Sequence, residues 1–175
     1  MIRILGLDPA SSFGWALLEN DQYIDGGRKQ FKPPTKAQLK KGISRGKKWE
    51  DALTWIETLK DHDPDFIILE DVKRHVSTLS AHSYGFYRYA IEAMCHRNNI
   101  TFYPIGVTQW KKKTIDQGNA GKEIIMEKMQ ELYPDVKFES DDHSDALGIA
   151  YSGYLYYKEN ILEELTNNFG GKKKK

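Results

Sequence analysis

Four acids in this chain have the types and spacing to do chemistry together. Asp8 follows an apolar run at residues 2–7, Glu70 follows a second at 66–69, and Asp142 and Asp145 stand three apart where a helix begins. A carboxylate delivered at the end of a buried strand is costly unless something positive, often a metal ion, compensates it. Each acid alone has a bland explanation: Asp8 as a turn residue, Glu70 as a salt-bridged strand end, Asp142 as a helix cap. Four that meet without a buried cation would repel one another unless divalent cations bind. Oxygen-only ligation points to Mg²⁺ or Mn²⁺, since zinc prefers histidine and cysteine. Two such ions can activate a water and stabilise the leaving oxygen of a phosphodiester, so the chemistry implied is metal-dependent phosphodiester hydrolysis.

The elements that must position these acids follow from hydrophobic pattern. Residues 2–7 with Arg3 interrupting, 15–18 and 22–25 read as three strands of an antiparallel meander, with Pro9, Ala10, Ser11 and Ser12 in the first turn. That turn is expected to leave the ground above Asp8 open. The stretch with Pro33 and Pro34 is expected to break regular structure, and a helical stripe runs from about Ser44 through Trp49, Leu53, Ile56 and Leu59 to a stop at Pro64. Residues 66–69 (FIIL) form a strand buried on both faces, 79–98 a helix, 100–105 a further parallel-type strand, 124–132 a helix and 143–157 a last helix that can continue with a break to Leu165. The expected architecture is α/β: a five-stranded mixed sheet, three strands antiparallel and two parallel, with helices on both faces. Winding reverses between the first strand and the 66–69 strand, which puts Asp8 and Glu70 side by side at the carboxyl ends where ligands collect.

Composition bounds the partners. At 175 residues the chain is long enough for one domain with a proper core, expected over residues 1–166, followed by a basic, disordered tail at 167–175. A formal net charge of +1 names no partner by itself. Residues 28–48, however, hold nine lysines and arginines and no acid, which suits either a polyanion or a solvated loop. One cysteine, Cys95, excludes an internal disulfide and a cysteine-rich metal site, and is expected as helix-core filler. No apolar run approaches the roughly 20 residues that span a membrane, and no signal-peptide pattern opens the chain, so a cytoplasmic location is expected.

Asp8 within LGLDPASSFGWAL, Glu70 within IILEDV, and Asp142 and Asp145 within DDHSDALGIA resemble the RuvC family of Holliday-junction resolvases, part of the retroviral-integrase/RNase H-like superfamily. The resemblance runs from residue 2 to about 155, and D-x-x-D-A-L-x-I-A at 142–150 is its most specific piece. GNAGK at 118–122 is similar to the family's small-residue turn with a functional lysine, here Lys122. The resemblance implies an RNase H-like fold in which the four acids bind two Mg²⁺ ions. It implies a homodimer that nicks opposing strands of a four-way junction, leaving 5′-phosphate and 3′-hydroxyl ends. Where cellular members place an aromatic wedge three residues after the glutamate, this chain has Lys73, so base stacking is expected from elsewhere, for example Tyr84 or Phe86. That departure and the long basic insert resemble divergent phage members with relaxed specificity, which implies residence in a bacterial cell or phage-infected host.

Further residues follow from position. Lys122 is a candidate to orient the scissile phosphate, against a plain solvated lysine. Lys111, Lys112 and Lys113 are candidate phosphate contacts, as are Lys73 and Arg74 after the glutamate strand. His143, between two candidate ligands, is expected on a different helix face, exposed or supporting the site indirectly. Other readings stay open on the residues: an actin-like ATPase domain, which needs a second domain and glycine-rich phosphate loops; a catalytically silent DNA-binding module; and a nuclease for RNA–DNA hybrids or DNA flaps on the same metal site.

Overall fold

The computed structural model describes residues 1–166 apart from Ser11; the tail expected at 167–175 lies outside the described residues. The strands are β1 (Arg3–Asp8), β2 (Ser12–Glu19), β3 (Gln22–Gln30), β4 (Phe66–Asp71) and β5 (Thr101–Gly106). The helices are α1 (Lys36–Lys40), α2 (Lys47–Thr58, continued by a 3-10 turn Leu59–His62), α3 (Thr78–Asn98), α4 (Val107–Ile115), α5 (Lys122–Leu132), α6 (Asp141–Lys158) and α7 (Glu163–Thr166). The sheet order is β3-β2-β1-β4-β5, with β1–β2 and β2–β3 antiparallel and β1–β4 and β4–β5 parallel. This is the mixed sheet the hydrophobic pattern calls for.

Alternation along the two central strands divides the core into two layers. Ile4, Phe66 and Ile68 pack with Trp110, Ile125, Leu147 and Ala150 of α4, α5 and α6. Leu5, Leu7, Ile67 and Leu69 pack instead with Ala52, Ile56, Tyr87 and Ile91 of α2 and α3. The same period of two sends Asp8 and Glu70 to the α6 side and Asp71 to the α3 side.

Three elements differ from expectation. Residues 107–115 form α4, where pattern alone showed only a lysine run; Trp110 and Thr114, four apart, are its buried positions. The basic stretch contains α1, capped by Thr35 and Gln38 in a reciprocal capping box, and it buries no residue. β2 also begins earlier than the expected Trp15, at Ser12.

α6 lies against β1 and β2 at backbone contact distance. A Cβ on Gly6 would stand 2.3 Å from the Ala146 carbonyl oxygen, and one on Gly14 would stand 1.9 Å from that of Asp142. Glycine is required at both places because backbone occupies the volume of a side chain. Gly6→Ala is expected to cost about 3 kcal/mol, the upper end for overpacking, and to lower the melting temperature by about 10 °C. Thermal unfolding followed by circular dichroism measures it.

Candidate active site

Each acid reaches the site by a separate device. Asp8 ends β1 and Glu70 stands at the end of β4; the parallel register pairs Leu7 with Leu69, one residue before each acid. Asp142 and Asp145 lie on the first turns of α6, whose N-cap Ser140 accepts a hydrogen bond from the His143 N–H at 3.3 Å. Acids there also suit the helix dipole. The contact between Gly14 and the Asp142 carbonyl seats that first turn beside the end of β1.

Electrostatics show that the four share one neighbourhood. Burial holds the Asp8 carboxyl well above its usual range, and the charges of Glu70, Asp145 and Asp142 add to the effect. Burial raises Glu70 too, against the Trp110 N–H and the charges of Lys111 and Lys122. Asp145 is pushed up to about 7, by burial first and the Glu70 charge second. Asp8 and Glu70 expose only 8% and 9% of their surface, and Asp145 Oδ1 is buried without a hydrogen-bond partner. An unpartnered buried carboxylate oxygen among like charges is the environment that a hard divalent cation relieves. Among the described residues, no three acid, histidine or cysteine side chains close round one point as a finished metal cage. The acids therefore interact through space, with donors of the right chemistry but no preformed cage.

The basic residues divide into groups. Lys122 pairs with Asp141, and its charge reaches Asp8, Glu70 and Asp145. Lys111 Nζ donates to the Ala120 carbonyl at 2.9 Å, and its charge acts on Glu70 and Asp145. Lys113 is turned to Glu159 at 2.5 Å and to the Tyr156 ring, and Lys112 lines the same hollow. Tyr156 is about three turns along α6 from Asp145, so the lysine run is split between two places. Lys73 is largely exposed, 3.9 Å from Asp71, and lines a hollow with Arg74 beyond β4.

Other expectations need correction. His143 is buried, not exposed: its Nε2 lies 3.2 Å from the Tyr23 hydroxyl and its Nδ1 accepts from the Glu139 N–H at 3.3 Å. Burial lowers its pKa, and the Tyr23 contact ties the first turn of α6 to β3. Tyr84 is buried as well, donating to the Glu70 carbonyl at 2.9 Å, so it pins β4 and is unavailable for stacking on a base. Phe86 is partly buried, with its ring 4.7 Å from that of Trp49. The buried Cys95 is core, as expected, with burial pushing its thiol up to about 12.

A cleft of about 480 Å³ opens above Asp8 and Glu70, bordered by Pro9, Lys48, His75, Val76 and Leu79. Val76 and Leu79 are 101% and 71% exposed, an apolar pair at the mouth that pattern reading passed over. Nothing in their spacing marks them; only their exposure at this rim does. Lys48 adds positive charge from the basic stretch and lies over the Trp49 ring at 4.5 Å.

No family model matches the chain. It is 24% identical over 158 residues to "Crossover junction endodeoxyribonuclease RuvC" of Rickettsia akari (strain Hartford), covering 87% of this chain and 96% of the relative. In structure it resembles Thermus thermophilus RuvC solved in complex with Holliday junction substrate, at a TM-score of 0.75 and 14% identity over 92% of this chain and 98% of that one. It also resembles the yeast mitochondrial Holliday junction resolvase Ydc2, at a TM-score of 0.58 and 12% identity over 93% and 84% of the two chains. The fold is RNase H-like. Among the described residues, no helix is long and apolar enough to cross a membrane.

The raised carboxyls set a pH dependence. A carboxyl whose pKa is higher in the folded chain holds a proton there after the unfolded chain has lost it, so stability falls as pH rises through that window. For Asp145 the window runs from its ordinary 3.8 to about 7. Metal-free protein is expected to melt at a lower temperature at pH 8 than at pH 5.5, and Mg²⁺ is expected to restore more at pH 8. Melting curves at both pH values, with and without Mg²⁺, give the comparison.

Proposed function

We infer that this chain belongs to the RuvC family and is a structure-selective DNA endonuclease that resolves four-way junctions by paired, symmetrical nicks. The observation that supports this most is the meeting of four mutually repelling acids, from β1, β4 and α6, at the switch point of a RuvC-like fold. A cleft with an apolar and basic mouth is lined by two of them, Asp8 and Glu70.

Asp8, Glu70, Asp142 and Asp145 have the oxygen donors to hold two Mg²⁺ ions per site, with Mn²⁺ able to substitute. When bound, such ions supply an activated water and stabilise the leaving oxygen, giving 5′-phosphate and 3′-hydroxyl ends. Lys122 and Lys111, whose charges already act on the acids, hold the scissile strand by its phosphates. Lys48, Lys73, Arg74, Lys112 and Lys113 bind phosphates farther from the cut, and their contribution is salt-sensitive. Val76 and Leu79 offer apolar surface to bases unstacked at the branch point, the task that neither Tyr84 nor Phe86 is placed to perform.

One domain holds one set of acids, so paired cuts need two copies, and a two-fold homodimer matches the symmetry of a four-way junction. Tyr89 on α3, 68% exposed, offers an aromatic contact for that interface. Domain limits of 1–166 and a bacterial or phage-infected cytoplasm fit this reading.

Asp8→Asn and Glu70→Gln are each expected to slow Mg²⁺-dependent nicking of a synthetic four-way junction by about a thousandfold or more, the scale on which electrostatic stabilisation is lost. Junction, flap, linear duplex and RNA–DNA hybrid should be compared in one gel assay. Preferential cutting of the hybrid would overturn the resolvase reading, and no cutting of any substrate would favour a silent binding module. Val76→Ser with Leu79→Ser should weaken junction binding about tenfold by removing apolar contact, while duplex affinity, measured by gel shift, stays unchanged.

A further inference from the structure

Trp110 is a fully buried side chain of α4, and its indole Nε1–H donates to Glu70 Oε1 at 2.7 Å. A tryptophan N–H donates one hydrogen bond in one direction, so it selects both a carboxylate oxygen and an orientation. The far edge of the same ring lies against α6: a Cβ on Gly148 would stand 2.8 Å from Trp110 Cζ3. Thr114, one turn along α4, donates its hydroxyl to the Gly148 carbonyl at 3.0 Å. Gly148 is three residues from Asp145 on α6, so both lie on one helix face. One rigid ring thus spans from Glu70 on β4 to the helix that carries Asp142 and Asp145.

We propose that Trp110 is a positioning residue that fixes the Glu70 carboxylate, leaves its Oε2 for a divalent cation, and sets its distance to Asp145 through the contact with Gly148. The proposal rests on the reading of Glu70 as a metal ligand. Packing alone does not account for the arrangement, because a purely apolar ring at this position would fill the space without holding the carboxylate. Groups that orient a metal ligand typically contribute about 10- to 100-fold in metal affinity or activity.

The test compares wild-type protein with Trp110→Phe. A second variant carries 3-benzothienylalanine at position 110, which keeps the shape of the indole and removes its N–H. Mg²⁺ is titrated at pH 8 while the melting temperature is followed, and in parallel against junction nicking. Both variants are expected to need about 10- to 100-fold more Mg²⁺ for half the thermal shift and for half-maximal nicking, with metal-free junction binding unchanged. If the benzothienyl variant titrates as the wild type does, the N–H positions nothing and the proposal is overturned. A wild-type protein that neither nicks junctions nor gains stability from Mg²⁺ would overturn the nuclease reading itself, a result separable from the first.

Discussion

The site depends on one close contact, the backbone of α6 against the backbone of β1 and β2 at Gly6 and Gly14. Strand register sets Asp8 and Glu70 beside each other, but the helix acids reach them only because no side chain keeps the helix away. A spacer of one methyl group at either glycine would collide with a carbonyl oxygen of α6. Interiors packed at crystal-like density have little room to absorb such a collision. The contact therefore fixes the third segment of the site relative to the first two.

What it assembles is a concentration of negative charge in poor contact with water. Burial raises Asp8, Glu70 and Asp145, neighbouring acids add to it at Asp8 and Asp145, and the opposing charges of Lys111 and Lys122 do not cancel the effect. Lys122 is largely exposed and engaged with Asp141. Asp71, by contrast, has the ion-pair partner that the four acids lack among the described residues: Arg88 pairs with it, and the Tyr84 hydroxyl lies 3.3 Å away. Adjacent acids on one strand are thus treated oppositely, one ion-paired within the fold and the other without an ion pair among the described residues. Divalent cations are the partners that suit an all-oxygen set of this charge.

Much of this was legible in the sequence because it depends on strand alternation and chain order. The runs at 2–7 and 66–69 announce buried strands, and the residue after each run is the acid. The spacing of Asp142 and Asp145 announces one helix face. What escaped reading was decided by tertiary contact. α4 has six polar residues among its nine, so its inward face of Trp110 and Thr114 is too narrow to register as a stripe. α1 buries nothing and leaves no periodic trace. Helix spacing puts His143 on a different face from the two acids and leaves open whether it is exposed or supports the site; β3 decides this by bringing Tyr23 over it, and His143 is buried. The basic stretch at 28–48 turned out to be part strand and part helix, with Lys48 delivered to the cleft.

The central claim is that Asp8, Glu70, Asp142 and Asp145 together hold the divalent cations in one shared site. Anomalous diffraction from crystals soaked in Mn²⁺ tests it most directly, since Mn²⁺ scatters anomalously and shares the preference for oxygen. The account predicts anomalous density within about 2.0–2.6 Å, the range of hard-cation oxygen contacts, of carboxylate oxygens from Asp8, Glu70 and the α6 pair. Density confined to other acids, with these four left unbound, would contradict it.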